Sequence, residues 1–566
     1  MKRLFDEHVK RSTRSLDGAW KFKCDKEDVG RGEEWFKREL DGESVTVPSV
    51  WNTYRGLLTY EGAVWYEKKF YSVGGTLRLV FEGVMTECDV WLDGEHIGYH
   101  YGGFSAFDFI IPDTAEGECR LTLRVYNRFN EKSIPQAFVD WYHYGGITRS
   151  VTAQWLSGAT ILSSKLSYTL SGDLTHATCN FEAELYAATD ATDELICEID
   201  GREAARLPIS LKKGERATVK LPPFVLGNIE LWSPDTPRLY SVKLLTSTDD
   251  LFDRTGFRKI EIKDGKPHLN GKEIEFRGVN RHEEHPEFGM AFPSSLMRRD
   301  TELIEELGCN IIRGSHYPNA KEFLDLLDER GMLFWSEIPI WGVGFKEAVL
   351  ADSDVEARGL TMHREMLAQY FNHPSIVIWG MHNETPTHTE TVYNLTKRYR
   401  EFISSADTSR LIVFASNHPF DDLCFEFSDI ACVNMYYGWY HGYEEGAWEK
   451  FLEKFTARLD ALGFSDKPIA VSEFGAAALY GTHDSEDILW CEEYQAKLIA
   501  KCLELFHESP RVVGSFIWQF ADIRTSRETG LNRARSFNNK GIMNEHRKPK
   551  LAYREAKRLY NSFKNQ

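Results

Sequence analysis

Short runs that alternate hydrophobic and polar residues dominate the first 260 positions of the chain. In runs such as 76–81 and 120–125 every second residue is apolar, and Gly, Asp and Asn turns separate one run from the next. A period of two places neighbouring side chains on opposite faces of a strand, so these runs predict β-sandwiches. The Asp93-Gly94 pair adds the signal of a tight hairpin. We predict one sandwich over residues 1–157 and a second, of immunoglobulin-like size, over 158–261.

From about residue 262 the pattern changes, and strand-like apolar runs alternate with helical stretches such as 297–307, 320–331 and 493–507. Eight strand-like runs lie in this part of the chain, at 275–279, 310–315, 333–338, 376–381, 411–415, 431–435, 469–473 and 513–520. Eight βα units in roughly 300 residues predict a (β/α)8 TIM barrel over 262–566. In that fold the functional groups lie at the C-terminal ends of the strands.

Two glutamates, Glu384 and Glu473, end the fourth and seventh of these runs. Packing gives no reason for a carboxylate at the end of a buried strand, because burial of a charge is costly. Retaining cleavage of a glycosidic bond needs two carboxyl groups about 5 Å apart, one to attack the anomeric carbon and one to protonate the leaving oxygen. A neighbouring carboxylate and a partly apolar pocket both help the second group to keep its proton. The pair therefore predicts a glycoside hydrolase that needs no metal ion.

Other polar residues at the strand ends fit the same chemistry. Asn383, directly before Glu384, is a candidate for a hydrogen bond to the sugar 2-hydroxyl, a contact that strengthens in the transition state. His316 ends the second strand and is a candidate substrate contact at the barrel mouth. Arg281, after the first strand, is expected to hold carboxylates in place.

Aromatic residues end the sixth and eighth strands, where a sugar site needs a wall against the apolar face of the ring. The sixth strand leads into an aromatic segment at 436–440, and we expect Tyr436 to orient the nucleophile and Tyr440 to contact the substrate. Trp518, near the end of the eighth strand, is a candidate stacking platform.

Composition narrows the class of protein further. The 566 residues include 68 Lys and Arg and 86 Asp and Glu, a formal net charge of −18, which disfavours nucleic acid and anionic membranes as partners. The N-terminal segment lacks the apolar core of a signal peptide, and no apolar stretch is long enough to cross a bilayer. The ten cysteines are scattered singly, without metal-ligand spacing. We therefore expect a cytoplasmic protein with reduced cysteines.

The motifs at the strand ends resemble those of glycoside hydrolase family 2. The matching segments are 280–283 (Asn-Arg-His-Glu), 313–318 (Arg-Gly-Ser-His-Tyr-Pro), 373–375 (His-Pro-Ser), 379–384 and 472–475 (Ser-Glu-Phe-Gly). The resemblance covers nearly the full length and implies a jelly-roll sandwich, an immunoglobulin-like sandwich and a catalytic barrel, in that order. It also implies that Glu384 is the acid/base and Glu473 the nucleophile, with a covalent glycosyl-enzyme intermediate.

The loop after the eighth strand, at 538–541, resembles the Asn-x-Lys signature of the β-glucuronidases within that family. A uronic acid carries a carboxylate where neutral sugars carry a hydroxymethyl group. Lys540 supplies a point charge and Asn538 supplies amide donors, and such charge-assisted contacts discriminate strongly in a partly closed pocket. The preceding segment, 524–535, is rich in arginine, and Arg533 or Arg535 is expected to supply a second cation. This segment leaves a galacturonide specificity open.

The resemblance also assigns Asp140, which matches the position from which the first sandwich reaches the barrel mouth and holds distal sugar hydroxyls. We expect a retaining exo-β-glucuronidase that acts on glucuronide conjugates or uronate-terminated oligosaccharides. A β-galacturonidase or β-galactosidase is the alternative, and a non-catalytic sugar-binding protein is a remote one. Catalysis is expected to need no cofactor, and the protein to form a homo-oligomer, a dimer or tetramer. Some bacterial relatives hold a flavin at a surface site, and the sequence does not decide whether this chain does.

Overall fold

A computed structural model describes residues 3–342, 345–440, 444–526 and 533–564. Antiparallel strands make up the first part of the chain. The main sheet has the order β1-β10-β4-β8-β6-β7, with β2 beside β4 and β3 beside β2, and β5 pairs with β9. The strands are β1 (Ser12–Ser15), β2 (Gly18–Asp25), β3 (Glu43–Val47), β4 (Ala63–Phe81), β5 (Val84–Met85), β6 (Glu87–Leu92), β7 (Glu95–Tyr101), β8 (Phe107–Tyr126), β9 (Gly146–Ile147) and β10 (Val151–Leu156). The predicted runs at 76–81 and 120–125 lie in β4 and β8.

The Asp93-Gly94 turn joins β6 to β7, as its sequence predicts. Asp93 has φ 52° and Gly94 has φ 90°, the left-handed conformations that a two-residue hairpin turn of type I′ requires. The alternate apolar residues of these strands, among them Leu79 and Leu123, pack into one core.

The next part of the chain forms two facing four-stranded sheets. One contains β11, β12, β15 and β16, and the other has the order β14-β13-β17-β18. The strands are β11 (Ala159–Leu170), β12 (His176–Ala187), β13 (Ala191–Ile199), β14 (Arg202–Leu211), β15 (Arg216–Lys220), β16 (Phe224–Gly227), β17 (Tyr240–Leu245) and β18 (Asp250–Thr255). Phe181, Leu195 and Leu244 belong to the core between the sheets. A three-stranded sheet follows, formed by β19 (Ile260–Lys263), β20 (Lys266–Leu269) and β21 (Lys272–Glu273).

The last part of the chain is a closed barrel of eight parallel strands, which confirms the predicted TIM barrel. The strands are β22 (Phe276–Asn280), β23 (Ile311–Gly314), β24 (Leu333–Glu337), β25 (Ile376–Asn383), β26 (Leu411–Ser416), β27 (Ala431–Asn434), β28 (Ile469–Phe474) and β29 (Val512–Ile517). Each of the eight predicted runs overlaps one of them. The strands are buried because helices cover the outside of the barrel and apolar side chains fill the inside.

Helices follow most barrel strands. Those in the described ranges are α1 (Ser294–Leu307), α2 (Lys321–Arg330), α3 (Glu347–Leu350), α4 (Ser353–Tyr370), α5 (Glu390–Ala406), α6 (Ala447–Ala461), α7 (Glu492–Glu508) and α8 (Leu551–Phe563). In these ranges, none of the helices combines the length and the apolar character that a membrane span requires.

The first sandwich is fastened to the mouth of the barrel by buried polar contacts. Arg149 forms an ion pair of 3.0 Å with Glu283, and the Tyr144 hydroxyl donates a 2.7 Å hydrogen bond to Glu284. These contacts fix the segment that carries Asp140. On the barrel side, β30 (Ile523–Arg524) pairs with β31 (Phe537–Asn538) and positions the loop that carries Lys540.

Candidate active site

A cavity of about 890 Å³ opens where the barrel strands end. Both Glu384 and Glu473 line it, and Asp140 reaches it from the first sandwich. The other lining residues that the sequence analysis singled out are Tyr436, Tyr440, Trp518, Arg533 and Lys540. Residues from distant parts of the sequence therefore meet at one site, at the end of the barrel where such sites form.

Glu473 lies within β28 and is held by two donors. Arg313 Nη1 donates to its Oε1 at 2.8 Å, and the Tyr436 hydroxyl donates to its Oε2 at 2.7 Å. Burial raises the pKa of Glu473, while the ion pair with Arg313 and the hydrogen bond from Tyr436 act in the opposite direction. Both contacts stabilise the charged form and fix the orientation of the carboxylate, as a nucleophile requires.

Glu384 follows the last residue of β25 and has a different environment. Its φ of 49° is uncommon for a residue other than glycine, a kind of strain that clusters at functional sites. Among the described residues, its Oε1 accepts one hydrogen bond, of 3.0 Å, from the neutral side chain of Asn434. Burial and the nearby charge of Glu473 raise the pKa of Glu384 to about 8. Glu384 is therefore protonated at neutral pH, which is the state of a general acid.

Arg313, at the end of β23, connects the polar residues of the site. It is fully buried and donates to Glu337 at 3.0 and 3.1 Å, to Glu473 at 2.8 Å and to Asn383 Oδ1 at 2.7 Å. Neither Arg313 nor Glu337 was assigned a role from the sequence. One signal was available, because each is a charged residue inside an apolar strand run.

The carboxylate that Arg281 holds belongs to Asp300 and not to either of the two cavity glutamates. Arg281 Nε donates to Asp300 at 3.0 Å, and Arg547 donates to the same carboxylate at 2.9 Å. This cluster supports the barrel mouth.

The amide of Asn383 is oriented by two donors. Its Oδ1 accepts from Arg313 at 2.7 Å and from Asn434 at 3.0 Å. The Nδ2 group is buried and has no hydrogen-bond partner among the described residues. A buried donor without a partner is rare in folded proteins, so Asn383 is well suited to bind a substrate oxygen. Asn434 carried no signal in the sequence, because its role depends on its neighbours in space.

His316 and Trp518 form a stacked pair beside the cavity. Their rings are 5.1 Å apart at an angle of 19°. Burial and the charge of Arg313 lower the pKa of His316, so its imidazole is neutral at neutral pH. His316 Nδ1 lies 2.6 Å from Glu337 Oε1, which assigns the proton to Nδ1 and leaves Nε2 as an acceptor. Nε2 has no hydrogen-bond partner within the described part of the chain.

Two cations lie on the same side of the cavity, next to Tyr440. Lys540 is 1% exposed, and its Nζ donates to the Tyr440 hydroxyl at 2.7 Å and lies 4.7 Å from the centre of that ring. Arg533 donates to Asp140 Oδ2 at 2.6 Å, and Asn538 donates to the same oxygen at 2.8 Å. Within the described ranges, Lys540 forms no ion pair with a carboxylate. An anion that enters this side of the cavity therefore meets an unneutralised ammonium group.

Arg535 lies outside the cavity. It is half-exposed and pairs with Glu545 at 3.3 Å. Of the two arginines that the sequence offered as a second cation, Arg533 is the one at the cavity. Residues 527–532 of the same arginine-rich segment lie outside the described residues.

Comparisons with known proteins agree with this geometry. A family model described as "Glycosyl hydrolases family 2, TIM barrel domain" matches residues 260–565, and one described as "Glycosyl hydrolases family 2, sugar binding domain" matches residues 13–155. A β-glucuronidase of Paenibacillus borealis is 28% identical over 589 residues, which cover 96% of each chain. A crystal structure of a GH2 β-galacturonidase from Eisenbergiella tayi bound to galacturonate superposes with a TM-score of 0.92, at 32% identity and 99% coverage of both chains. A β-glucuronidase from Ruminococcus gnavus in complex with D-glucuronic acid superposes with a TM-score of 0.88, at 26% identity and 99% coverage of both chains.

Proposed function

The chain belongs to glycoside hydrolase family 2, and from that premise we propose that it is a retaining exo-β-glucuronidase. The observation that carries this proposal is one cavity lined by the carboxyl groups of Glu384 and Glu473 and by the ammonium group of Lys540, which has no ion-pair partner among the described residues. The carboxyl groups supply the chemistry of glycoside cleavage, and the ammonium group supplies a preference for a uronic acid. The substrates would be β-D-glucuronide conjugates or oligosaccharides that end in a uronate.

In the first step, the Glu473 carboxylate attacks the anomeric carbon, and Glu384 donates its proton to the leaving oxygen. Arg313 and Tyr436 hold the attacking carboxylate at two oxygens, so little reorganisation is needed at the moment of attack. The raised pKa of Glu384, about 8, supports its role as the proton donor at neutral pH.

In the second step, Glu384 acts as a base and takes a proton from the water that hydrolyses the glycosyl-enzyme bond. The bond between Glu473 and the sugar breaks, and the product leaves with the configuration of the substrate. The reaction uses only carboxyl groups and water.

Polar atoms that have no hydrogen-bond partner in the described part of the chain are available for the sugar hydroxyls. Asn383 offers a donor, and His316 offers an acceptor at Nε2. The Oδ1 atom of Asp140 is also buried without a hydrogen-bond partner among the described residues. These three groups come from different elements around the cavity, and the hydroxyls of a bound sugar ring would form hydrogen bonds with all of them. Trp518 lines the same cavity and supplies an apolar face for the ring.

Recognition of the uronate rests on Lys540, with Arg533 as the second cation. Lys540 is almost fully buried, so an ion pair with the substrate carboxylate would form in a region of low dielectric constant. Arg533 is already paired with Asp140, so its net attraction for a substrate carboxylate is weaker than that of Lys540.

A β-galacturonidase is the second candidate. The superposition with the Eisenbergiella tayi enzyme bound to galacturonate, at a TM-score of 0.92, favours it. Glucuronate and galacturonate differ only in the orientation of the 4-hydroxyl group, and both present a carboxylate to Lys540. The two cations would therefore bind the carboxylate of either uronate and do not discriminate between the two sugars.

Hydrolysis of an aryl β-glucuronide, an aryl β-galacturonide and an aryl β-galactoside, compared side by side, tests the proposal. We expect the highest kcat/KM on the glucuronide and almost no turnover of the neutral galactoside. A higher kcat/KM on the galacturonide would replace the first candidate with the second. Preference for the galactoside would refute both.

A further inference from the structure

Two histidines and an aspartate meet beside the cavity, and none of the three takes part in the proposed reaction. His388 lies between β25 and α5, while His418 and Asp421 lie in the loop after β26. His418 and Asp421 line the same cavity as Glu384. One ligand atom from each of the three residues lies within 4.8 Å of the others.

The spacing of these atoms is close to that of a metal site. The rings of His388 and His418 are 4.3 Å apart, and His418 Nδ1 lies 3.5 Å from Asp421 Oδ1. Tetrahedral zinc with bonds of about 2.05 Å holds its ligand atoms about 3.4 Å apart. The remaining pairs would have to close by at most about 1.4 Å, from 4.8 Å, and the exposed side chain of His388 is free to make that movement.

The backbone around the three residues is held by one buried carboxylate. Asp422 Oδ2 accepts hydrogen bonds of 2.5 Å from Thr387 and from Ser416, and its Oδ1 accepts one of 2.6 Å from the Cys424 backbone. Thr387 directly precedes His388, and Asp422 directly follows Asp421. Asp422 thus fixes both loops next to the candidate ligands, as the supporting residues of a metal site do.

Two other groups of histidines and aspartates have similar spacing, but in each group one carboxylate already has an arginine partner. Asp249 pairs with Arg11 at 2.6 Å, and Asp325 pairs with Arg3 at 2.8 Å. In the described part of the chain, no lysine or arginine pairs with Asp421. The carboxylate of the cavity-wall group therefore remains available to a cation.

We propose that His388, His418 and Asp421 form a binding site for a divalent transition metal ion such as Zn²⁺. Two imidazole nitrogens and one carboxylate oxygen are a common ligand set for zinc, and the exposure of the site leaves a fourth position for water. The ion would sit on the wall of the cavity that Glu384 also lines, and it would narrow the space that is open to a substrate. Zinc would therefore act as a reversible inhibitor.

A direct measurement of metal binding tests the site independently of the proposed reaction. The full chain is freed of metal with a chelator and titrated with Zn²⁺ by calorimetry, and with Co²⁺ by visible absorption, which reports tetrahedral coordination. We expect one ion per chain, and a loss of affinity of about 100-fold in His388→Ala, because a direct ligand contributes at least as much as a supporting residue. The Co²⁺ absorption should disappear in that variant and in Asp421→Asn. Equal affinity in the native chain and in His388→Ala would overturn the proposal.

His483→Ala is the matched control. His483 is exposed and pairs with Glu493 at 2.8 Å, but it belongs to no three-ligand group among the described residues. Its variant should bind Zn²⁺ like the native chain, and a loss of affinity equal to that of His388→Ala would contradict the assignment.

The inhibitory effect rests on the proposed function and has its own test. Zinc should inhibit aryl glucuronide hydrolysis at the concentrations at which it binds, and a chelator should restore the rate. His388→Ala should keep its rate without zinc and resist inhibition. Zinc binding without inhibition would overturn the proposed obstruction of the cavity, but it would still support the metal site. Absence of glucuronide turnover would refute the proposed function, while the binding data still decide the site.

Discussion

The substitution Lys540→Met tests uronate recognition most directly. Lys540 is 1% exposed and donates to the Tyr440 hydroxyl at 2.7 Å, and it has no carboxylate partner in the described ranges. Methionine keeps most of the length and volume of the side chain and removes the charge. Folding should therefore be preserved, because a buried charge without a counter-ion is costly and its removal relieves that cost.

The expected loss follows from the burial of the ammonium group. Truncation of one partner of a buried, hydrogen-bonded charge pair costs about 2–5 kcal/mol. A value of about 3 kcal/mol corresponds to a decrease of about 150-fold in kcat/KM, since about 1.4 kcal/mol is tenfold. A neutral uronamide, in which an amide replaces the substrate carboxylate, should lose only a few-fold, because it never forms the ion pair.

The assay compares kcat/KM for an aryl β-glucuronide and the matching uronamide in the native chain and in Lys540→Met. Lys548→Met serves as a control, because Lys548 lies eight positions further along, is exposed and does not line the cavity. We expect the ratio of uronate to uronamide activity to fall by about 150-fold in Lys540→Met and to stay constant in the control. An equal loss on both substrates would refute the assignment of Lys540 to the substrate carboxylate.

Three further predictions concern the carboxyl groups. Glu473→Gln should lower kcat by about 10⁴-fold or more, since the amide keeps the shape of the side chain but is not a nucleophile. Calorimetry should still detect binding of a uronate product. Turnover at the native rate would exclude Glu473 as the nucleophile. Burial and the charge of Glu473 raise the pKa of Glu384 to about 8, so kcat/KM should begin to fall as the pH approaches 8 and should fall tenfold per unit well above it. A descending limb near pH 5 would contradict the acid role. Glu337→Gln should lower kcat by about 10- to 100-fold with little change in KM. Without the charge of Glu337, Arg313 attracts the Glu473 carboxylate more strongly and makes it a weaker nucleophile. A change in KM alone would contradict this positioning role.

The positions of the barrel strands could be predicted from the sequence because buried parallel strands are short, continuous apolar runs. All eight predicted runs overlap a strand of the closed barrel. The glutamates at the ends of β25 and β28 were visible for the same reason, since a carboxylate interrupts an apolar run where packing alone would place a hydrophobic residue. Burial and strand periodicity are local properties, so the sequence carries them directly.

The partners of the site residues could not be predicted in the same way. Arg313 and Glu473 are 160 positions apart, and Arg533 and Asp140 are 393 positions apart, although each pair is in direct contact. Only the closed barrel and the docked sandwich bring such groups together. For this reason the sequence could not choose between Arg533 and Arg535, and it gave no indication that Asn434 donates to Glu384.

The contacts of the two carboxyl groups explain how one cavity provides both an acid and a nucleophile. Glu473 has a cationic partner, Arg313, whereas the described partner of Glu384 is the neutral Asn434. Glu473 therefore ionises first, and its charge adds to burial in raising the pKa of Glu384. In the proposed reaction, formation of the glycosyl-enzyme bond removes the charge of Glu473. The pKa of Glu384 must then fall, so the group that gave a proton in the first step becomes the base that the second step requires.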